Sequence, residues 1–348
     1  MRAPAFDPLE IVRFVEQARP WRPDVLLPFI VTGEEHKNVF DCIQFDPVGY
    51  EYINKFERKL EGIVGMPALA VSSGTAALHL ALLACGVDPG DEVIVPAMMF
   101  AGCAAAVRYC GATPYFVDVE SNGCIDIGQL DRIQSKNVSA VIAVDFLGRP
   151  AASLELKEWC EYQGWWLIED GASALGTKGI GQYADVLTLS FNCNKIVTTG
   201  GGGALLSRDA ELLARACHLA TTAKISDKYH FVHDTAGYNY RMPNVCAALG
   251  LGQLDRLWTI VEKKAILHGR YHGHMPDIMN CWLNTVQVPH GYRDRTMHVL
   301  DKSGYACRAL YTPLHTLAPY RGCPRIADLS ISERLFDTTI CLPSGVEP

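Results

Sequence analysis

Lys195 lies in the run Leu189-Ser190-Phe191-Asn192-Cys193-Asn194-Lys195-Ile196-Val197-Thr198-Thr199, and four glycines, Gly200 to Gly203, follow. The lysine ends a short apolar strand and opens a turn too glycine-rich for a regular element. About 25 residues upstream a second apolar run ends in acid, Trp165-Trp166-Leu167-Ile168-Glu169-Asp170. A lysine able to form a Schiff base, with an aspartate at the end of a preceding strand, is the pairing that pyridoxal phosphate requires. The lysine takes the aldehyde, and the aspartate keeps the pyridine nitrogen protonated so that the ring acts as an electron sink. Read singly, Lys195 is also an ordinary solvated loop lysine and Asp170 an ordinary helix cap before Gly171-Ala172-Ser173-Ala174.

Other runs add candidate binding groups. Ser72-Ser73-Gly74-Thr75-Ala76-Ala77-Leu78 joins a strand to a helix N-terminus, where free amides and the helix dipole form a phosphate seat or a plain N-cap turn. Phe100 follows the strand Val93–Val95 and could stack on a flat ring or fill the core. Asn239-Tyr240-Arg241-Met242 precedes a long helix; its Asn and Arg could hold an anion, or cap and solvate. His315, in Pro313-Leu314-His315, is a site residue or lobe packing. The glycine pairs around Ile180 and at Gly200 to Gly203 lack the strand, spacing and downstream acid of a dinucleotide fingerprint. The histidines show no metal-ligand spacing, so no metal is expected.

The elements that must position these groups follow an α/β grammar. Residues 9–17 and 50–64 have helical spacing. From residue 70, apolar strands at 69–71, 92–95, 114–119, 140–146, 165–169, 186–191 and 203–207 alternate with helices at 74–85, 100–110 and 153–163. That alternation implies a mostly parallel sheet covered on both faces. Helices are predicted at 209–220 and, as one long element, at 244–272. A smaller α+β lobe follows, with strands at 282–288 and 305–311 around a helix at 293–302. The domain organisation expected is a helical lead-in over 1–30, a large domain over 31–255 and a small one over 256–348.

Composition excludes several classes. A net charge of −7 and no run of five basic residues argue against a nucleic-acid surface. The 13 cysteines are odd in number, scattered through apolar segments and free of C-x-x-C pairs, which points to reduced thiols and a cytoplasmic protein. Residues 1–20 have no apolar core of a signal peptide, and the stretch Val93 to Val107 is interrupted by Pro96, so no membrane span is expected.

With these residues in place, the chain resembles the DegT/DnrJ/EryC1/StrS sugar aminotransferases. The likeness is collinear from about Leu27 to Gly345. It is carried by Val71 to Leu78, Pro89-Gly90-Asp91-Glu92-Val93, Gly111-Ala112-Thr113-Pro114, Glu169-Asp170, Ser190-Phe191 with Lys195, and Asn239 to Met242. The resemblance implies the fold type I of pyridoxal-phosphate-dependent transferases (aspartate aminotransferase-like), with a seven-stranded sheet between helices and a smaller C-terminal domain. It implies a homodimer with shared active sites. Lys195 would form the Schiff base and move the proton, and Asp170 would pair with the ring nitrogen. Phe100 would stack on the ring, with Ser173 beside it. Gly74, Thr75 and Ser190 would bind the phosphate, and Asn239 would reach it from the partner. Lys224, Tyr240, Arg241 and His315 are the expected substrate contacts.

The run Ser190 to Gly203, with Thr221-Thr222-Ala223-Lys224 and Tyr311 to His315, further resembles the subgroup acting at C4 of nucleotide-linked 4-keto-6-deoxy sugars, such as the LegC-like enzymes. The activity implied is transfer of an amino group from glutamate, leaving 2-oxoglutarate, to such a nucleotide sugar, in amino-sugar biosynthesis for surface polysaccharide or nonulosonic acid. Family dehydratases carry histidine in place of the lysine, so Lys195 favours transamination; a non-catalytic pyridoxal phosphate binder is the reading from another class. The chain departs from the family in four places. Ser173 stands where Gln or Glu is usual, and Cys193 where close relatives have glycine. The Tyr271 to Trp282 connection is short, and no closing helix follows Leu342-Pro343-Ser344-Gly345.

Overall fold

The computed structural model describes residues 6–25 and 32–347. The remainder of the expected lead-in, residues 1–5 and 26–30, lies outside them. In chain order the first elements are α1 (Leu9–Ala18), α2 (Gly33–Phe45), α3 (Glu51–Val64), β1 (Ala68–Val71), α4 (Gly74–Ala84), β2 (Glu92–Pro96), α5 (Gly102–Tyr109) and β3 (Thr113–Val117). Then come β4 (Val138–Val144), α6 (Leu154–Gln163), β5 (Trp166–Asp170), β6 (Val186–Ser190), β7 (Gly203–Leu206) and α7 (Ala210–Ala220).

Strands β1 to β7 form one seven-stranded sheet in the order β1-β7-β6-β5-β4-β2-β3. All neighbouring pairs from β6 to β3 are parallel, and β7 alone runs against both of its neighbours. This is the mostly parallel sheet that the continuous apolar runs predict. Strand interiors such as Val93–Val95, Ala140–Ala143 and Leu187–Leu189 are fully buried. Helix α4 is buried nearly all round, from Ala76 to Leu82, because it lies against the sheet and is covered by α5 and α7. Helix α3 buries Ile53, Phe56 and Leu60, one stripe at helical spacing.

The rest of the chain comprises a hairpin of β8 (Lys224–Ile225) and β9 (Val232–His233), then α8 (Asn244–Asp255), α9 (Leu257–His272), β10 (Thr285–Gln287), α10 (Arg293–Lys302), β11 (Arg308–Ala309), α11 (Ser330–Thr338) and β12 (Thr339–Cys341). The single helix expected over 244–272 is two. The helical path breaks at Arg256, whose φ of −102° and ψ of 0° end one helix and start the next. The strands expected at 282–288 and 305–311 shorten to β10 and β11, which flank β12 in a three-stranded sheet.

A second core joins Leu267, Tyr271, Val288, Leu300, Ile340 and Leu342 to Ile11, Val12 and Val15 of α1. The lead-in helix thus packs into a core shared with α9, α10 and the strand residue Ile340. Residues 318–335 return to the large sheet, where Phe116 exchanges backbone bonds with Pro324 and Ile326 at 3.0 Å each. Among the described residues no helix is long and apolar enough to cross a membrane.

Candidate active site

The C-terminal ends of β4, β5 and β6 deliver Val144, Asp170 and Ser190 to one cavity of about 540 Å³. Open α/β sheets present ligand groups at this edge. The β6–β7 loop closes on itself through Phe191 N–H to Gly202 O at 2.8 Å and Thr199 N–H to Phe191 O at 2.9 Å. Gly200 turns it with φ of +79°, and a Cβ at Gly202 would strike Thr199 Oγ1 at 2.3 Å. The glycine run therefore folds the loop tightly enough to aim Lys195 inward.

Lys195 and Asp170 both line this cavity. Burial lowers the Lys195 amine to a pKa of about 8, against the opposing pull of the Asp170 carboxylate. Its Nζ lies 4.2 Å from the ring centroid of Trp282. Asp170 is buried; Oδ2 accepts from Cys103 Sγ at 2.8 Å and Oδ1 from Ala172 N–H at 3.0 Å. Next to it Asp145 and Glu169 form a buried carboxyl pair. Burial raises Glu169 to about 7 and Asp145 well above the usual carboxylate range. Asp145 Oδ2 and Glu169 Oε1 have no other partner among the described residues, and one proton shared between them would satisfy both.

The phosphate seat read from the sequence lies in the same wall. Ser73 Oγ accepts from Ala76 N–H at 3.0 Å and caps α4. No acceptor among the described residues takes the amides of Gly74 and Thr75. A Cβ on Gly74 would come within 2.9 Å of Ser190 Cβ, and one on Gly203 within 2.4 Å of the Ser73 carbonyl carbon. Backbone, hydroxyls and helix N-terminus thus make a cradle that a side chain would fill.

Phe100 is in the cavity wall yet 63% exposed, edge-on to Tyr311 with centroids 6.2 Å apart. Ser173 also lines the cavity, but its hydroxyl donates to Asp145 O at 2.8 Å, so only its lone pairs are left for a ligand. Tyr311, from the run that carries the subgroup resemblance, is also in the wall, and Trp282, Arg308 and Cys103 join it without having been expected as site residues. An aromatic just after a shortened connection was a visible signal for Trp282; Arg308 gave none.

The remaining expected residues stand outside this cavity. Asn239 is exposed, and the carbonyl of Tyr240 beside it accepts from Ser72 N–H at 2.8 Å. Lys224 is exposed on the β8–β9 hairpin, its Nζ 4.6 Å from the Phe231 ring centroid. Arg241 is turned away: it donates to Glu57 at 2.8 Å and to Ala70 O at 3.0 Å, which ties α3 to β1. His315 is buried with Nε2 3.1 Å from Glu333 Oε1. Within one chain Arg241 is thus paired with Glu57 and His315 with Glu333, neither of them in the cavity, and His315 Nδ1 is buried without a partner among the described residues. No cluster of three or more potential metal ligands occurs among the described residues.

The residues present fit pyridoxal phosphate: a half-buried amine with no carboxylate partner among the described residues, a buried carboxylate in the same cavity, and an anion cradle at a helix N-terminus. The class defined by this sheet and this cavity is the pyridoxal-phosphate-dependent aminotransferase.

Comparison with known proteins narrows the class. Residues 32–347 match the DegT/DnrJ/EryC1/StrS aminotransferase family. The GDP-perosamine synthase of Vibrio cholerae is 31% identical over 335 residues, covering 90% of this chain and 91% of that one. The UDP-4-amino-4-deoxy-L-arabinose–oxoglutarate aminotransferase of Shewanella sediminis is 34% identical over 229 residues, 59% of this chain and 56% of that one. Among solved structures, the aminotransferase TlmJ from Streptoalloteichus hindustanus superposes with a TM-score of 0.85 at 27% identity, over 92% of each chain. DesI, solved in the presence of its TDP-sugar product, gives 0.83 at 29% identity over 94% of this chain and 88% of that one. The chain belongs to the DegT/DnrJ/EryC1/StrS aminotransferase family.

Proposed function

We propose that the protein transfers an amino group from glutamate to a nucleotide-linked 4-keto-6-deoxy sugar, as a cytoplasmic homodimer. The observation that carries the reading is the meeting of Lys195, Asp170 and the Gly74 cradle in one cavity. The relatives named for GDP-perosamine and for an amino-arabinose nucleotide support the substrate class.

When bound, pyridoxal phosphate supplies an aldehyde that condenses with amines and a ring that withdraws electrons. The chain's own groups supply the rest. The amides of Gly74 and Thr75, with the Thr75 and Ser190 hydroxyls, hold the phosphate. Asp170 offers its buried carboxylate to the ring nitrogen, held in place by Cys103 and Ala172. Lys195, with its pKa brought down to about 8, keeps a useful neutral fraction near neutral pH and so can take up and return a proton. Phe100 offers a ring face at the cavity wall, and Ser173 an acceptor. Arg308, at the cavity wall with no carboxylate partner among the described residues, suits an anionic substrate.

The dimer is supported by what one chain leaves open. Phe100 is exposed, and so are Tyr229 and Phe231 of the hairpin and Phe40, Phe45 and Val48 around the end of α2. In a shared site Asn239 reaches the partner's phosphate seat, and Lys224 and Tyr240 lie toward the partner's sugar. We place the large domain over 31–255 and the small one over 256–348, with α1 packed on the latter.

The test is to supply the cofactor, glutamate and, one at a time, GDP-, UDP- and dTDP-linked 4-keto-6-deoxy sugars. 2-Oxoglutarate and an amino sugar should appear in equal amounts with one nucleotide. Turnover of none of the three, in protein that holds the cofactor, overturns the substrate assignment.

A further inference from the structure

Trp282 presents an indole face to the Lys195 amine, with Nζ 4.2 Å from the ring centroid. The residue is 1% exposed, and several unfavourable placements converge to hold it. Its ring N–H donates to Asn194 O at 2.7 Å, inside the loop that carries Lys195. Its amide donates to Asn280 Oδ1 at 3.0 Å, and its carbonyl accepts from Lys264 Nζ at 3.1 Å. Lys264 is itself buried and also donates to Ser344 O at 2.5 Å. Asn280 is buried too, and donates to the carbonyls of Ser173 and Leu175 at 2.8 and 2.9 Å. Between them Cys281 has φ of +53°, a left-handed conformation that a residue with a side chain seldom adopts. A buried lysine and a strained cysteine cost stability, and together with the hydrogen-bonded Asn280 amide they fix the position of one indole against one amine.

We propose that Trp282 is a positioning residue for Lys195: its ring face seats the amine whenever it is free and favours the charged form. The proposal rests on Lys195 being the cofactor lysine. An amine that alternates between bonded and free states needs a resting place at the cavity for its free state. The face of an indole attracts a cation through its quadrupole, more strongly where water is excluded. The titratable groups facing Lys195 are Asp170 of β5, Cys103 of α5 and Arg308 of β11. Asp170 favours the ammonium, whereas burial, the largest influence, and Arg308 oppose it; Cys103, its thiol held protonated by burial, brings no charge. Trp282 adds an attraction without adding a charge. Its replacement by an aliphatic residue therefore changes no formal charge near the amine.

The test uses the full chain freed of cofactor. The rate at which it captures added pyridoxal phosphate is followed by absorbance from pH 6 to 10. Capture by the wild type should rise through a midpoint near the Lys195 value of about 8, and Lys195→Ala should capture none. Trp282→Leu, checked for folding by circular dichroism, should shift the midpoint down by about half a unit or more, a roughly threefold gain in neutral amine on the acid side. Trp282→Phe, which keeps a ring face, should shift it less. An unmoved midpoint in folded Trp282→Leu overturns the proposal while leaving Lys195 as the cofactor lysine. Capture by Lys195→Ala as by the wild type overturns both. Should Trp282→Leu fail to fold, the difference in indole emission between wild type and Trp282→Phe carries the test. That difference should change with the Lys195 midpoint and stay constant in a Lys195→Ala background; a difference flat from pH 6 to 10 in the wild-type background overturns the proposal.

Discussion

Cys103 Sγ lies 2.8 Å from Asp170 Oδ2 and donates its proton to that carboxylate. The thiol is buried, and burial with the neighbouring negative charge pushes its pKa well above the usual value. The thiolate is the form that attacks alkylating reagents, so Cys103 should be inert in the folded protein. Cys193, two residues from Lys195, is exposed. Brief treatment with iodoacetamide at pH 8 followed by peptide mapping should find label on Cys193 and essentially none on Cys103. Equal labelling would mean that the β5 edge is open to water.

Asp170→Asn keeps the shape of the side chain and removes its charge. We expect the cofactor-dependent turnover to fall by about a hundredfold or more, the scale found when a preorganised charge partner is removed. The thermal midpoint of the cofactor-free protein should change little, since the amide still accepts from Ala172 N–H. Steady-state turnover and a melting curve on the same sample check both parts.

Gly74→Ala puts a methyl group 2.9 Å from Ser190 Cβ, inside the cradle. Pyridoxal phosphate should bind about tenfold or more weakly, while pyridoxal, which lacks the phosphate, should bind about as to wild type. Fluorescence titration with the two compounds separates the outcomes. An equal loss for both would place the phosphate elsewhere.

Glu169 titrates near 7 in the fold against an ordinary 4.5, chiefly because it is buried. A carboxyl raised on folding contributes its full stability below its unfolded pKa and loses it as the pH rises through the folded one. The protein should therefore lose stability between pH 5 and pH 8.5, by on the order of 2 kcal/mol from this group. In Glu169→Gln the amide can donate to Asp145 and accept from Gly181 N–H, the present partner of Oε2 at 2.8 Å. Urea unfolding at the two pH values should show a flatter dependence in the variant; equal slopes would contradict a shared proton.

The groups legible in the sequence are those whose neighbours along the chain set their position. Asp170 and Ser190 end apolar strands, Gly74 starts a helix, and Lys195 sits between a strand and a glycine run. Local pattern and strand-end placement suffice for them. Trp282 and Arg308 reach the same cavity from beyond the large sheet; the strands expected at 282–288 and 305–311 shorten to three and two residues, and alternation along them does not say which side chain meets the cavity. Helix α2 was not read because its buried residues are Glu35 and Cys42, not an apolar stripe. It docks on α8 through polar bonds, with Gln253 donating to Glu35 at 2.7 Å and Arg256 at 3.3 Å. The break between α8 and α9 has no glycine or proline to announce it. Arg241 and His315 sit within runs that match the family, yet which way a polar side chain turns depends on partners such as Glu57 and Glu333, far away in sequence.

The most direct measurement is to reduce the cofactor-loaded protein with borohydride, digest it and map the modified lysine by mass spectrometry. The account requires a phosphopyridoxyl group on Lys195 and on no other lysine. A tag on a different lysine, or none at all, would contradict it.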